Sequence, residues 1–140
     1  RIIAAAAAGL AHSAAMKFSS DARRDALLVR SYSARELRAA EHVFTSSVIL
    51  SADRHVADWP PRSPEDLTVD HLAAILALEP EVVLLGTGTR QVFPDPKLFA
   101  HMASRGIGFE VMDTGAACRT YNVLVNEYRK VVLAVLIARE

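Results

Sequence analysis

Two apolar runs in the second half of the chain, residues 82–85 and 131–137, limit the possible folds more than any other feature, because neither contains a charged residue. Strands of this composition are typical of a sheet that is covered on both faces. Gly86 ends the first run, and residues 107–112 form a third apolar segment between the two. The second half therefore predicts three strands of a buried sheet.

The segments beside these strands have the spacing of helices. One helix is predicted to begin at Thr68, and a second covers residues 95–104, where it ends before a glycine. A third is capped by Asp113 or Thr114 and continues to about residue 128. Strands that alternate with helices in this way predict parallel pairing through right-handed crossovers.

The first half of the chain has the pattern of antiparallel strands. Residues 26–32 predict one strand, and residues 43–50, which are rich in β-branched side chains, predict a second. Residues 54–59 are expected to return as a hairpin partner before Pro60, whereas residues 33–41 are ambiguous. The predicted fold class is therefore α/β, with a parallel sheet that is extended or flanked by an antiparallel layer.

An alanine-rich opening precedes this pattern. Residues 1–15 carry one charge, and Met16 resembles a natural start. The opening is interpreted as a trimmed signal peptide, a transit peptide or upstream sequence, and we favour the third because a single Arg is few for either targeting signal. We expect residues 1–25 to be a leader or disordered lead-in and residues 26–140 to be a single domain. No later run reaches the roughly 18 apolar residues of a membrane span.

Charge and cysteine content exclude several functional classes. The 16 basic and 16 acidic side chains balance, so the chain lacks the basic surface that binding to nucleic-acid phosphates requires. A single cysteine rules out an intramolecular disulfide and a zinc site with two thiolates, and it fits a reducing compartment. The five histidines lack metal-binding spacing. We expect no metal and no cofactor.

Two loops are expected to meet at one edge of the sheet. Residues 86–89 follow the first buried strand and residues 113–122 follow the next, and parallel strands end at the same edge, where ligands of open α/β sheets bind. Glycine N–H groups, a helix N-terminus and a guanidinium would suit a small anion. The candidate ligand or partner site comprises Gly86, Thr87, Gly88, Asp113, Thr114, Cys118, Arg119, Tyr121 and Asn122.

Each of these residues also has a structural explanation. The glycines allow a tight exit from a strand, and Asp113 and Thr114 are ordinary helix caps. Arg119 is expected either to bind a ligand or to pair with Asp113 or Glu127. Cys118 is a nucleophile only if its pKa is lowered, and a small buried thiol is the more common case. No catalytic residue is assigned.

The same segments resemble a known family. They are Val83-Leu-Leu-Gly-Thr-Gly88, Phe93-Pro94, Val111-Met-Asp-Thr114 and Ala116-Ala-Cys-Arg-Thr-Tyr-Asn-Val-Leu124. Together they are similar to the small domain shared by the mitochondrial complex I assembly factor 3 and many bacterial and archaeal proteins, over about residues 27–137. The resemblance implies a single three-layer β/β/α domain, a role in assembling respiratory complex I and no established catalytic residue.

Two functional hypotheses follow. The first is a non-enzymatic interaction or assembly domain with a protein partner, in a bacterial member of the family that is cytoplasmic, or mitochondrial if the source is eukaryotic. The second is a small-anion-binding protein or enzyme that uses the cleft between the Gly86-Thr87-Gly88 loop and the Thr114 to Arg119 helix start. We prefer the first because the constellation lacks a nucleophile and base pair. A homo-oligomer is compatible with either.

Overall fold

The computed structural model describes residues 16–17, 23 and 25–138 of the chain. Within these residues the chain forms two β-sheets and three α-helices. The helices are α1 (Val69–Leu76), α2 (Pro96–Ala103) and α3 (Thr114–Asn126), and a short 3₁₀ helix, Pro64–Asp66, precedes the first.

The first sheet is antiparallel and keeps its four strands in sequence order. The last two strands join through a tight turn in which Ala40 has a φ of 52°. The register between the second and third strands shifts between Val29 and Ser31. The strands are β1 (Met16–Lys17), β2 (Val29–Tyr32), β3 (Leu37–Ala39) and β4 (His42–Phe44).

The second sheet is mixed and has the order β6-β5-β9-β7-β8. Strand β7 lies between β8 and β9 and is parallel to both, whereas β5 is antiparallel to β9 and to β6. The strands are β5 (Val48–Leu50), β6 (His55–Val56), β7 (Val82–Gly86), β8 (Gly108–Met112) and β9 (Val131–Val135). The parallel strands predicted in the second half of the sequence are confirmed.

The mixed sheet separates two apolar cores because its central strands alternate between its faces. Leu84 contributes to the core shared with α3 and the antiparallel sheet. Val83 and Leu85 point to the opposite side, where they pack with Ile75 of α1 and Leu98 of α2. Both faces are therefore covered, as the uncharged runs predicted, and the α/β class is confirmed.

One predicted strand proved wrong. Residues 43–50 form two strands in different sheets, since β4 ends at Phe44 and β5 begins at Val48. The corner between them is held by Ser47, which is buried and whose Oγ accepts a hydrogen bond from the Ile137 N–H at 2.9 Å. The polar cluster Thr45-Ser46-Ser47 between the two apolar parts of the segment is the local signal of this corner, which the prediction of one strand overlooked. The predicted hairpin return is present as β6.

The division after residue 25 stays a prediction, because residues 1–15, 18–22 and 24 lie outside those described. Within the described residues, Met16 and Lys17 pair with Tyr32 and Ser31 of β2. The Arg23 N–H also donates to the Asn126 side chain at the end of α3, at 2.9 Å.

Candidate functional site

The loops after β7 and β8 are joined by hydrogen bonds at the carboxyl edge of the mixed sheet. The Thr87 N–H donates to the Met112 carbonyl at 3.0 Å, and the Thr114 N–H donates to the Gly88 carbonyl at 2.8 Å. In return, the Gly88 N–H donates to Thr114 Oγ1 at 2.8 Å. The two loops that the sequence placed at one edge are thus in direct contact.

Gly86 allows the start of α3 to approach the end of β7. A Cβ on Gly86 would lie 3.1 Å from Thr114 Oγ1 and 3.2 Å from Thr114 Cα, closer than most real contacts. Gly88 has a φ of 99°, a conformation that favours glycine. Both glycines therefore have the structural role considered above, whether or not the loop also binds a ligand.

The first turn of α3 carries a second close approach. A Cβ on Gly115 would overlap the hydroxyl of Tyr32 from β2. That hydroxyl accepts a hydrogen bond from Arg119 Nη1 at 3.2 Å. Burial raises the pKa of Tyr32, and the guanidinium beside it opposes the rise. Gly115 thus brings β2 against the helix start and places Arg119 behind Tyr32.

A cleft of about 310 Å³ opens between these elements. One wall is the helix start, a second is the β2–β3 turn, and the floor is the end of β9 with the residues after it. The side chains of Glu36 and Asp113 are both acidic, and Asp113 Oδ1 also accepts from the Ala116 N–H at 2.9 Å. The lining residues are Tyr32, Ser33, Ala34, Glu36, Leu37, Gly88, Thr89, Asp113, Thr114, Gly115, Val135, Leu136 and Ile137.

Three predicted site residues on α3 lie in the core and not in the cleft. Tyr121 is fully buried, and its hydroxyl donates to the Leu27 carbonyl at 2.7 Å. The Asn122 amide donates to the Val29 carbonyl and accepts from the Val29 N–H, both at 2.9 Å. Cys118 is fully buried. Asn122 thus fastens β2 to α3, and Tyr121 fastens the residues just before β2.

The environment of Cys118 disfavours a nucleophilic role. Burial raises the pKa of its thiol, outweighing the attraction of the nearby Arg119, and so the reactive thiolate is suppressed. Burial raises the pKa of Tyr121 in the same way. The buried-thiol interpretation of Cys118 agrees with this geometry.

Of the nine candidate residues, Gly88, Asp113 and Thr114 line the cleft. Gly86 and Thr87 support it from behind. The Arg119 Nε is a buried atom without a hydrogen-bond partner in the described part of the chain. The binding role of the nine residues stays a prediction.

Sequence reasoning missed the wall formed by Ser33, Ala34, Glu36 and Leu37, since the β2–β3 turn meets α3 only through a long-range contact. Gly115, the second residue after the helix cap Asp113, was the one available sign of a close approach there.

Other kinds of site are not supported in the described part of the chain. No group of three or more His, Cys, Asp or Glu side chains there is placed to hold a metal ion. Residues 25–138 and the few described before them contain no helix that is long and apolar enough to cross a membrane.

Comparison with known proteins gives a family and a fold. A family model described as a protein of unknown function (DUF498/DUF598) matches residues 29–136. The NMR structure of a Xanthomonas campestris protein is 39% identical and superimposes with a TM-score of 0.74, covering 86% of this chain and 92% of that one.

Curated relatives match over shorter parts. The mouse NADH dehydrogenase (ubiquinone) 1 alpha subcomplex assembly factor 3 is 36% identical over 107 residues, which are 74% of this chain and 57% of the mouse protein. The 13 kDa major membrane protein of Francisella tularensis is 40% identical over 67 residues, or 48% of this chain and 54% of that protein. The chain thus spans little more than half the length of these relatives.

Proposed function

The chain belongs to the DUF498/DUF598 family of proteins of unknown function, and from that premise we propose that it is a non-enzymatic interaction domain that helps to assemble a protein complex. The mouse relative is named as an assembly factor of NADH dehydrogenase. By that resemblance, the partner is a protein of a respiratory complex. A cytoplasmic location in a bacterium, or a mitochondrial one in a eukaryote, is part of the same proposal.

The composition of the cleft is the observation that carries this proposal. Leu37, Val135, Leu136 and Ile137 give it an apolar floor and side, while polar residues, among them Thr89, Asp113 and Thr114, complete its lining. Cys118, the one thiol, is buried in the core instead. A cleft that combines apolar side chains with a polar rim suits a partner's side chain better than it suits chemistry.

A small-anion site is the alternative that the helix start favours. Residues of its first turn and Gly88 border the cleft, although the Thr114 and Ala116 N–H groups already have partners within the chain. However, Asp113 adds negative charge to the lining, Glu36 is already paired with Arg38 at 2.9 Å, and Arg119 is held by Tyr32 outside the cleft. The Asp113 carboxylate opposes an anion, so the interaction role has the stronger support.

The test fills the cleft and compares the result with a matched surface change. Ala34 and Ala73 are both exposed alanines, but only Ala34 is one of the residues that line the cleft. Tagged wild type, Ala34→Trp and Ala73→Trp are purified from the source cells and their retained proteins are quantified by mass spectrometry. We expect a partner that is kept by Ala73→Trp and lost by Ala34→Trp.

The partner found in this way is then purified and titrated against the three proteins by calorimetry. Equal affinity for wild type and Ala34→Trp would contradict a role for the cleft. Retention of a small anion by the wild type, without a protein partner, would support the alternative function.

A further inference from the structure

Strand β8 is the longest strand at an edge of the mixed sheet among the described residues. It has five residues, whereas the opposite edge strand, β6, has two. A long edge strand presents backbone N–H and carbonyl groups that can pair with another chain. Very short edge strands such as β6 offer little to pair with.

The register shows which groups of β8 face outward. The Gly108 N–H donates to the Glu81 carbonyl at 3.1 Å, and the Met112 carbonyl accepts from the Thr87 N–H at 3.0 Å. Gly108, Met112 and, by alternation, Glu110 therefore bond towards β7. The backbone groups of the residues between them, Phe109 and Val111, point to the outer edge.

Two outward groups of this segment already have partners within the chain. The Val111 carbonyl accepts from the Gln91 side chain at 2.9 Å. The N–H of Ile107, just before the strand, donates to the Met102 carbonyl at 3.1 Å. The groups left facing outward are the Ile107 carbonyl, both groups of Phe109 and the Val111 N–H.

An aromatic row lies beside this edge. The ring centroids of Phe93 and Phe99 are 6.3 Å apart, and those of Phe99 and Phe109 are 4.9 Å apart. Phe93 is 64% exposed, which is high for so large an apolar side chain. Exposed aromatic rings next to an open strand are typical of an interface.

From these observations we propose that β8 pairs antiparallel with β8 of a second copy of this chain, about a two-fold axis at Phe109. In this register Phe109 lies opposite Phe109 of the second copy, and Val111 lies opposite Ile107. The two groups that are already bonded, the Val111 carbonyl and the Ile107 N–H, would face each other. The Val111 N–H of one copy can then donate to the Ile107 carbonyl of the other copy.

The charge of Glu110 also favours this register. It sets Glu110 opposite the uncharged Gly108 of the second copy. A shift by one pair would place Glu110 directly opposite Glu110, and like charges at that position are destabilising. The edge is therefore complementary to itself in hydrogen bonds and sets no like charges opposite each other, which favours a second copy over an unrelated strand.

Charge substitutions at Gly108 test this pairing. A Cβ there would lie 3.5 Å from Val82 Cγ2, an ordinary contact, so that a side chain fits. Sedimentation velocity is measured from micromolar to millimolar concentration for wild type, Gly108→Lys and Gly108→Glu. We expect a wild-type dimer, tighter pairing with Gly108→Lys and weaker pairing with Gly108→Glu, each by about tenfold in Kd because the contact occurs twice.

The double variant Gly108→Glu with Glu110→Lys sets Glu opposite Lys, with the two charges exchanged relative to Gly108→Lys, and is expected to restore the dimer. The two Gly108 variants alter the backbone alike, so only their charge distinguishes them. A wild type that stays monomeric at all concentrations would overturn the proposal, as would equal effects of Lys and Glu. The measurement uses this chain alone, so its outcome is independent of the partner proposed for the cleft.

Discussion

Both faces of the mixed sheet have an apolar core, but one of them is also held by buried, directional hydrogen bonds. On the helical face, covered by α1 and α2, the core consists mainly of apolar side chains such as Ile75, Leu98 and Met102. On the opposite face, covered by α3 and the antiparallel sheet, buried polar side chains bond to the backbone of the strand segment, as Asn122 does. Apolar burial has no direction, whereas hydrogen bonds fix the position of both partners.

The largest effect is expected when a buried polar side chain is replaced by an apolar one, and a substitution on the other face serves for comparison. Asn122→Leu would leave the buried N–H and carbonyl of Val29 without partners and should lower the free energy of unfolding by about 3 kcal/mol. Leu98→Met, which conserves volume in the helical face, should lower it by less than about 1.5 kcal/mol. Urea unfolding monitored by circular dichroism measures both.

Asn126→Leu is the control for the first change, because Asn126 is an exposed Asn on the same helix. Asn126→Leu should lower the free energy of unfolding much less than Asn122→Leu does. Equal destabilisation by Asn122→Leu and Leu98→Met would mean that the two faces do not differ as argued.

The same contrast explains what the sequence could predict. The strands and helices of the helical face are neighbours in sequence and follow a regular apolar period, which predicts the helix over residues 95–104. Leu98 and Met102 of that helix lie in the core. The joining of the loops at Gly88 and Thr114 followed from the rule that parallel strands end at one edge.

The other face depends on contacts between residues far apart in the chain. The bond between Tyr121 and Leu27 spans 94 positions, and no local pattern encodes it. Asn122 and Tyr121 therefore looked like candidate site residues, since a polar side chain on a helix has the same local signature whether it binds a ligand or a strand. The bond that holds the corner at Ser47 likewise spans 90 positions, to Ile137.

The next prediction concerns the contact at the entrance of the cleft. Gly115→Ala should displace Tyr32, because the new Cβ would occupy the position of its hydroxyl, and should lower the free energy of unfolding by about 2 kcal/mol. In a double-mutant cycle with Tyr32→Ala, the combined effect should be smaller than the sum of the single effects. Additive effects would show that the two residues are not in contact.

The pH dependence of stability should report the buried thiol. Burial raises the pKa of Cys118 above its value in the unfolded chain, about 8.5, and raises that of Tyr121 above about 10. The stabilising contribution of each group is complete below its unfolded pKa and is lost as pH rises towards its folded pKa. Stability should therefore fall above about pH 8.5, by about 1.4 kcal/mol per pH unit for each group.

Cys118→Ala tests the assignment, because it should delay the fall until about pH 10, where tyrosine begins to ionise in the unfolded chain. Urea unfolding at a series of pH values gives the slope of the unfolding free energy against pH. The slopes of the variant and the wild type are compared, so that a constant difference in stability between them does not matter. Equal slopes between pH 8.5 and 10 would contradict a buried, neutral thiol.

The smallest expected effect lies where the two faces meet, at the bond from the Gly88 N–H to Thr114 Oγ1. Thr114→Val keeps the shape of the side chain but removes the acceptor, and should lower the free energy of unfolding by about 1 kcal/mol. Thr114→Ser keeps the acceptor and should lie closer to the wild type. In Thr114→Val, the Gly88 amide should exchange its hydrogen faster by NMR, while amides of α2 on the helical face keep their rates. A uniform increase over both regions would mean that this bond stabilises the whole fold and not the rim of the cleft. A local increase would show that directional bonds position the cleft while the apolar core carries the fold.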